Sequence, residues 1–115
     1  MKLINLTPHT INLANEAGEI LMTIEPSGII ARLVVTPGML EEVPGLPVPV
    51  ASPPQYGEIE GLPDPQTGVL YVASYIVASR AGRPDVLQPG TGPRDGAIRD
   101  DAGRIVAVTR LVRHA

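Results

Sequence analysis

Residues 67–82 read TGVLYVASYIVASRAG, and the way this stretch folds decides the architecture. Residues 69–73 are apolar and rich in β-formers, so a strand is predicted there. Ser74 then stands where a helix N-cap belongs, because its hydroxyl can accept a hydrogen bond from a backbone N–H of the first turn. Gly82 stands where a left-handed C′ residue belongs, and the spacing between the two predicts a helix of about two turns over 75–81. The β-branched Ile76 and Val77 keep one longer strand open as the alternative. A strand running into a short helix offers backbone N–H groups around Ser74, an arrangement suited to an anion.

Working outward, LINLTPHTINL (3–13) sets Pro8 and His9 between two short apolar runs, which predicts a strand, a kink at Thr7–Pro8 and a second strand. The turn cluster NEAG (15–18) and the alternation after it predict a hairpin joining 10–14 with 19–24. EPSG (25–28) turns the chain into IIARLVV (29–35), an apolar run that reads as a buried strand. Between 36 and 65 prolines stand at 37, 44, 47, 49, 53, 54, 63 and 65. Helix is excluded there and central strands are disfavoured, because each proline removes a backbone donor. The interleaved Val, Leu, Ile and Tyr favour a folded, extended connection, with edge strands at 46–51 and 56–59, over a disordered linker. At the far end RDDAGRIVAVTRLV (99–112) predicts a tight turn at 100–103 and one strand, with Arg110 on the outer face. The expected fold is a single mainly β domain spanning 1–115, compact and antiparallel, barrel-like or a small sandwich, with one short helix.

The chain has no Cys, Trp or Phe and three Tyr, so its core must be built from Val, Ile, Leu and Ala. Those side chains bury less area than aromatic ones, which predicts modest stability for a monomer and favours a homo-oligomer. The lack of cysteine excludes disulfides, thiolate metal sites and cysteine nucleophiles. MKLINLTPH is too polar for a signal sequence and no apolar run reaches membrane-spanning length, so a soluble, cytoplasmic protein without a membrane partner is expected. The formal charge of −3 conceals an asymmetry. Residues 1–79 hold Lys2 and Arg32 against eight acidic side chains, whereas residues 80–115 hold seven Arg against four Asp. Arg suits planar, bidentate recognition of phosphate or carboxylate, which suggests an anion site. Pairing of the acidic and basic parts across the fold is the other, slightly favoured, reading. A pI near 5.2 and the scarcity of Lys disfavour duplex nucleic acid as a partner.

His9 and His114 lie at opposite ends with no third ligand at metal spacing, so neither a metal site nor a cofactor is expected. His114 reads as a frayed terminal residue, and His9 as a turn residue capping a backbone carbonyl. Glu58 and Glu60 point to one side of an extended segment and could act as paired carboxylates, but solvated charges guarding a strand edge are the commoner case. GTGPRDG (90–96) lacks the Lys-Ser/Thr of a phosphate-binding loop. RAGRPDVLQPGTGPRD (80–95) places Arg80, Arg83 and Arg94 where little regular structure is possible. Pro84 holds Arg83 and Asp85 apart rigidly, and a structural Arg83–Asp85 pair is favoured over direct ligand contact. In the functional reading Arg80, Arg83 and Arg94, together with Ser74, Tyr75, Thr7 and His9, line one pocket for a small anionic ligand.

NLTPHTINL (5–13), LPDPQTGVLYVASYIVA (62–78), RPDV (83–86) with a following PG, and DDAGRIVAVTRL (100–111) together resemble a group of small proteins encoded by bacteriophages and prophages, among them phages of actinobacteria. The resemblance covers most of the chain and is weakest in the Pro-rich segment. It brings no activity with it and implies a context, the cytoplasm of an infected bacterial host. Phage accessory proteins of this size are often counter-defence factors. One type, the sponge, sequesters a host immune nucleotide such as a cyclic dinucleotide or a cyclic ADP-ribose isomer without altering it. That task needs Arg and backbone N–H groups for phosphate, Tyr or apolar surface for the base, and usually an oligomer with pockets between subunits. A non-catalytic nucleotide sponge is therefore the leading expectation. A virion or assembly component using the Pro-rich segment as an interaction arm is the first alternative. An enzyme cleaving a nucleotide signal with His9 and Glu58 or Glu60 is the second.

Overall fold

In the computed structural model, which describes all 115 residues, 40% of the chain is strand and 6% lies in a single helix, so the protein is mainly β. In chain order the elements are β1 (Lys2–Asn5), β2 (Ile11–Ala14), β3 (Ile20–Ile24), β4 (Arg32–Thr36), β5 (Leu40–Glu41), β6 (Val50–Ala51), β7 (Gln55–Glu60), β8 (Val69–Val72), α1 (Tyr75–Ala81), β9 (Val86–Pro89), β10 (Ile98–Arg99), β11 (Ile105–Ala107) and β12 (Leu111–Arg113). No helix is long and apolar enough to cross a membrane.

The organising element is a four-stranded sheet ordered β1-β8-β9-β12. Five of the seven ladders in the molecule are antiparallel, but the two at the heart of this sheet, β1 with β8 and β8 with β9, are parallel. Parallel neighbours need a crossover of about a dozen residues, which residues 73–85 supply around α1. The other strands form separate two-stranded ribbons, β2-β3, β4-β7, β5-β6 and β10-β11, and the sheets do not close into a barrel.

Alternation along β8 explains its unbroken apolar sequence. Tyr71 and Ala73 face α1, joining Leu6, Ala31, Val77, Ala78 and Val86 in one buried cluster. Val72 points to the opposite face and packs with Ile11, Ile24 and Val108. A strand covered on both sides has no solvated face and so loses the polar half of its pattern. The predicted cap is present at the end of the strand: Ser74 Oγ accepts from the Val77 N–H, and Gly82 closes the helix at φ +58° with its N–H donating to the Ala78 carbonyl.

Three predicted strands are corrected. The C-terminal strand is broken between β11 and β12, where Val108 leaves its course to pair with Leu13 and the Arg110 carbonyl accepts from the Gly90 N–H. IIARLVV is not buried: only Ala31 reaches the core, while Val34 and Val35 are exposed. Instead β4 pairs with β7 through Leu33↔Ile59 and Val35↔Tyr56, and the ribbon leads to the β5-β6 hairpin. The edge strand expected at 46–51 shrinks to Val50–Ala51, because Pro47 and Pro49 cannot donate to a ladder. At the root of this arm Gly61 takes φ +79°, and a Cβ there would lie 2.4 Å from the Ile30 carbonyl oxygen, so glycine is required. The arm stretches the molecule to 57 × 39 × 25 Å with a radius of gyration of 17.6 Å. A compact domain of this length would have about 13 Å.

The arms of the fold meet at Asn5, which is 1% exposed. Its amide donates to the His9 carbonyl at 2.6 Å and the Ile24 carbonyl at 3.1 Å. Its side-chain oxygen accepts from the Thr7 N–H at 2.9 Å and from the Thr7 hydroxyl at 2.7 Å. All four hydrogen-bonding positions of the carboxamide are therefore used. An apolar replacement of similar size would leave the buried Ile24 carbonyl and the part-buried Thr7 N–H without these partners. Asn5→Leu should lower stability by about 2–4 kcal/mol in urea unfolding, whereas a loss below about 1 kcal/mol would show that the turn holds itself.

Candidate functional site

The turn that Asn5 fixes delivers Thr7 and His9 to the start of α1. Thr7 donates its hydroxyl to Asn5 and accepts from the His9 N–H at 3.3 Å, while the His9 ring makes no hydrogen bond within the chain. It is thus not the carbonyl cap its position suggested. Ser74 and Tyr75 come from the β8–α1 junction, and Gln88 and Thr91 from β9 and its exit. These six side chains line a cavity of about 340 Å³. A second hollow of about 260 Å³ adjoins it, sharing His9 and Thr91 and running along Asn12 and Val108.

One neighbour of the cavity, His114, bears on two of its lining residues, Gln88 and Tyr75. β12 pairs with β9 in the register Arg113↔Leu87, which carries the next residue, His114, over Gln88. His114 Nε2 donates to Gln88 Oε1, and the His114 ring stands edge-on to Tyr75, with centroids 5.6 Å apart and planes at 73°. His114 is accordingly an anchored residue, not a frayed one. Gln88, a buried polar side chain inside the apolar run VLQP, is the signal that could have pointed to a partner here.

The arginines lie elsewhere, so the seven predicted ligand residues do not form one pocket. Arg80 sits at the far end of α1 with its guanidinium 4.5 Å from the centre of the Tyr56 ring. Arg80 and Arg83 border a different hollow, of about 480 Å³, together with Glu58 and Leu33 of the arm. Arg94 is exposed on the 92–96 turn and lines neither. Because His9 and Glu58 line separate hollows, the acid–base set imagined for an enzyme is not assembled.

Arg83 and Asp85 form a bidentate ion pair, with Nη2 donating to Oδ2 at 2.6 Å and Nε to Oδ1 at 2.9 Å. Arg83 Nη1 also donates to the Pro63 carbonyl at 2.9 Å, and the Tyr71 hydroxyl donates to the nearby Asp64 carbonyl. One guanidinium therefore holds the chain leaving the arm against the strand β9. The hydrogen bonds from Arg83 depress the Asp85 carboxyl below its ordinary 3.8, outweighing partial burial, and the same pair raises Arg83. The expected pairing of N-terminal acids with C-terminal arginines does not occur: both ion pairs, Arg83–Asp85 and Arg104–Asp100, lie within residues 80–115.

No family model matches the chain, and no curated protein or solved structure is significantly similar to it.

The ion pair makes a pH-dependent prediction. A carboxylate held below its ordinary pKa stabilises the fold above that value and loses its effect as pH falls through the depressed one. At neutral pH Asp85→Asn should lower stability by about 1–2 kcal/mol, since the part-buried guanidinium loses its charged partner. The difference from the parent protein should close as pH falls below 3.8, measured by urea unfolding across pH. A gap that stays constant into acid would assign the stability to something other than the pair.

Proposed function

We propose that the protein is a non-catalytic binding protein that captures a small nucleotide-like molecule in the cavity between the Thr7–His9 turn, the start of α1 and β9. The observation that carries this reading is the convergence of Thr7, His9, Ser74 and Tyr75, from segments more than sixty residues apart, on one cavity. Its volume lies within the range of about 300–1,000 Å³ typical of ligand sites. Tyr75 is 65% exposed and offers a ring face, while His9 and His114 add two further rings beside hydroxyl groups. Such a set suits a base and its sugar. Arg83 has its donors committed to Asp85 and Pro63, so in this reading it supports the scaffold and does not touch the ligand.

The resemblance to phage-encoded proteins narrows the ligand to a signalling nucleotide of an infected bacterium, a cyclic dinucleotide or a cyclic ADP-ribose isomer, held intact in the host cytoplasm. A second reading, an assembly or protein-interaction component, is favoured by the exposed apolar arm. Incubating the protein with cyclic di- and trinucleotides, cyclic ADP-ribose isomers and NAD, then filtering, releasing by heat and chromatographing, separates the two. The sponge reading expects one compound recovered unchanged. Tyr75→Ala should weaken its retention about tenfold or more while the melting temperature stays within about 2 °C, because the ring is solvent-exposed. Recovery of a cleaved product would make the protein an enzyme, and a panel passing through unbound would favour the assembly reading.

A further inference from the structure

We infer that the arm spanning residues 32–60 is an intermolecular device that packs head-to-tail on the basic lobe, residues 90–110, of a second copy of the chain. The arm carries an apolar surface that its own body leaves uncovered, with Met39 77%, Leu40 71% and Val48 63% exposed, together with Leu46. It carries Glu41, Glu42, Glu58 and Glu60 against the single cation Arg32. None of these carboxylates has an ion-pair partner within the chain.

The complementary surface lies on the same molecule. Arg94, Arg99, Arg104 and Arg110 are exposed on the 92–96 turn, the β10-β11 ribbon and the loop beyond it, against Asp95, Asp100 and Asp101, of which Asp100 pairs with Arg104. Thr109 ties these segments together by donating its hydroxyl to the Asp95 and Gly96 carbonyls at 3.1 Å. The guanidinium groups of Arg94 and Arg110 make no hydrogen bond or ion pair with the chain, and Ile105 and Val106 supply exposed apolar area beside them. The root of the arm packs through Ile59 on the α1 side of the central sheet, whereas the lobe packs through Ala97 and Val108 on the opposite side. The arm and the lobe thus lie on opposite faces of the sheet, an arrangement that suits contact between copies.

The chain exposes 7847 Å². A compact monomer of this mass would expose about 6,000 Å². The surplus of about 1,800 Å² reflects the extended arm, and a contact of standard size would cover about 800 Å² on each copy. Because the two patches differ, the contact is heterologous and repeats into a ring or an open chain. This inference does not rest on the proposed nucleotide cavity, which the lobe borders at Thr91, while Ile105 and Val106 line the adjoining hollow.

The test pairs sedimentation with site-specific crosslinking of the full chain. The protein should sediment as an oligomer at low salt and dissociate as salt is raised. Glu41→Arg with Glu42→Arg, or Arg94→Glu with Arg110→Glu, should each weaken association by about tenfold or more, and the four changes combined should restore it. All four residues are exposed, so the circular dichroism spectrum and melting temperature should not move. A photocrosslinking amino acid at Leu46 should attach to residues 90–110 of an isotopically distinct copy. A chain monomeric at high concentration and low salt, reversals without effect, failure of the combined reversal to restore association, or crosslinks from arm to arm would each overturn the inference.

Discussion

Everything in this molecule hangs from one buried carboxamide. Asn5 ends β1 and stands where the first strand, the β2-β3 hairpin and the segment leading to the arm come together. Its side chain closes the Thr7–His9 turn and reaches the end of β3 at Ile24, while its own carbonyl accepts from the Ser27 N–H and hydroxyl. A neutral amide can do this because it presents two donors and two acceptors in one plane. Any other side chain of that size leaves at least one buried main-chain group without a partner.

That junction lets a small, aromatic-poor chain hold a two-faced sheet. β8 is the axis, with α1 on one face and the β2-β3 hairpin on the other. Its two apolar clusters contain only aliphatic residues and Tyr71. Little apolar surface is left inside to anchor residues 32–60, so the arm is held at its root by Ile59, by the Arg80–Tyr56 contact and by the grip of Arg83 on Asp85 and Pro63. Of the arginines that looked like anion ligands, Arg80 and Arg83 thus serve first in joining the arm to the body.

The candidate cavity is built on the other side of the same helix. Its lining comes from the Thr7–His9 turn, the start of α1 and β9 with its exit, and His114 backs Gln88 and Tyr75 because β12 lies beside β9. The cavity and the arm divide the chemistry between them: polar and ring-bearing groups around the cavity, charge and aliphatic surface on the arm and the lobe.

The sequence by itself determined the elements whose signals are local. The Ser74 cap, the helix over 75–81, the Gly82 terminus, the hairpin at 11–24 and the turn at 100–103 are each fixed by a few adjacent residues through hydrogen bonding and φ preference. Local signals also put Thr7, His9, Ser74 and Tyr75 on the page as candidates. Only the tertiary structure decided that β1 inserts beside β8 in parallel, that IIARLVV leaves the core, that the arginines stand apart from the cavity and that His114 packs against its residues Gln88 and Tyr75. A β-strand's pattern shows that it needs a neighbour but not which one, since hydrogen-bonding edges are alike and the choice rests on packing across tens of residues. The same holds for Asn5: a lone asparagine near a kink looks like any turn residue until the fold brings four partners to its amide.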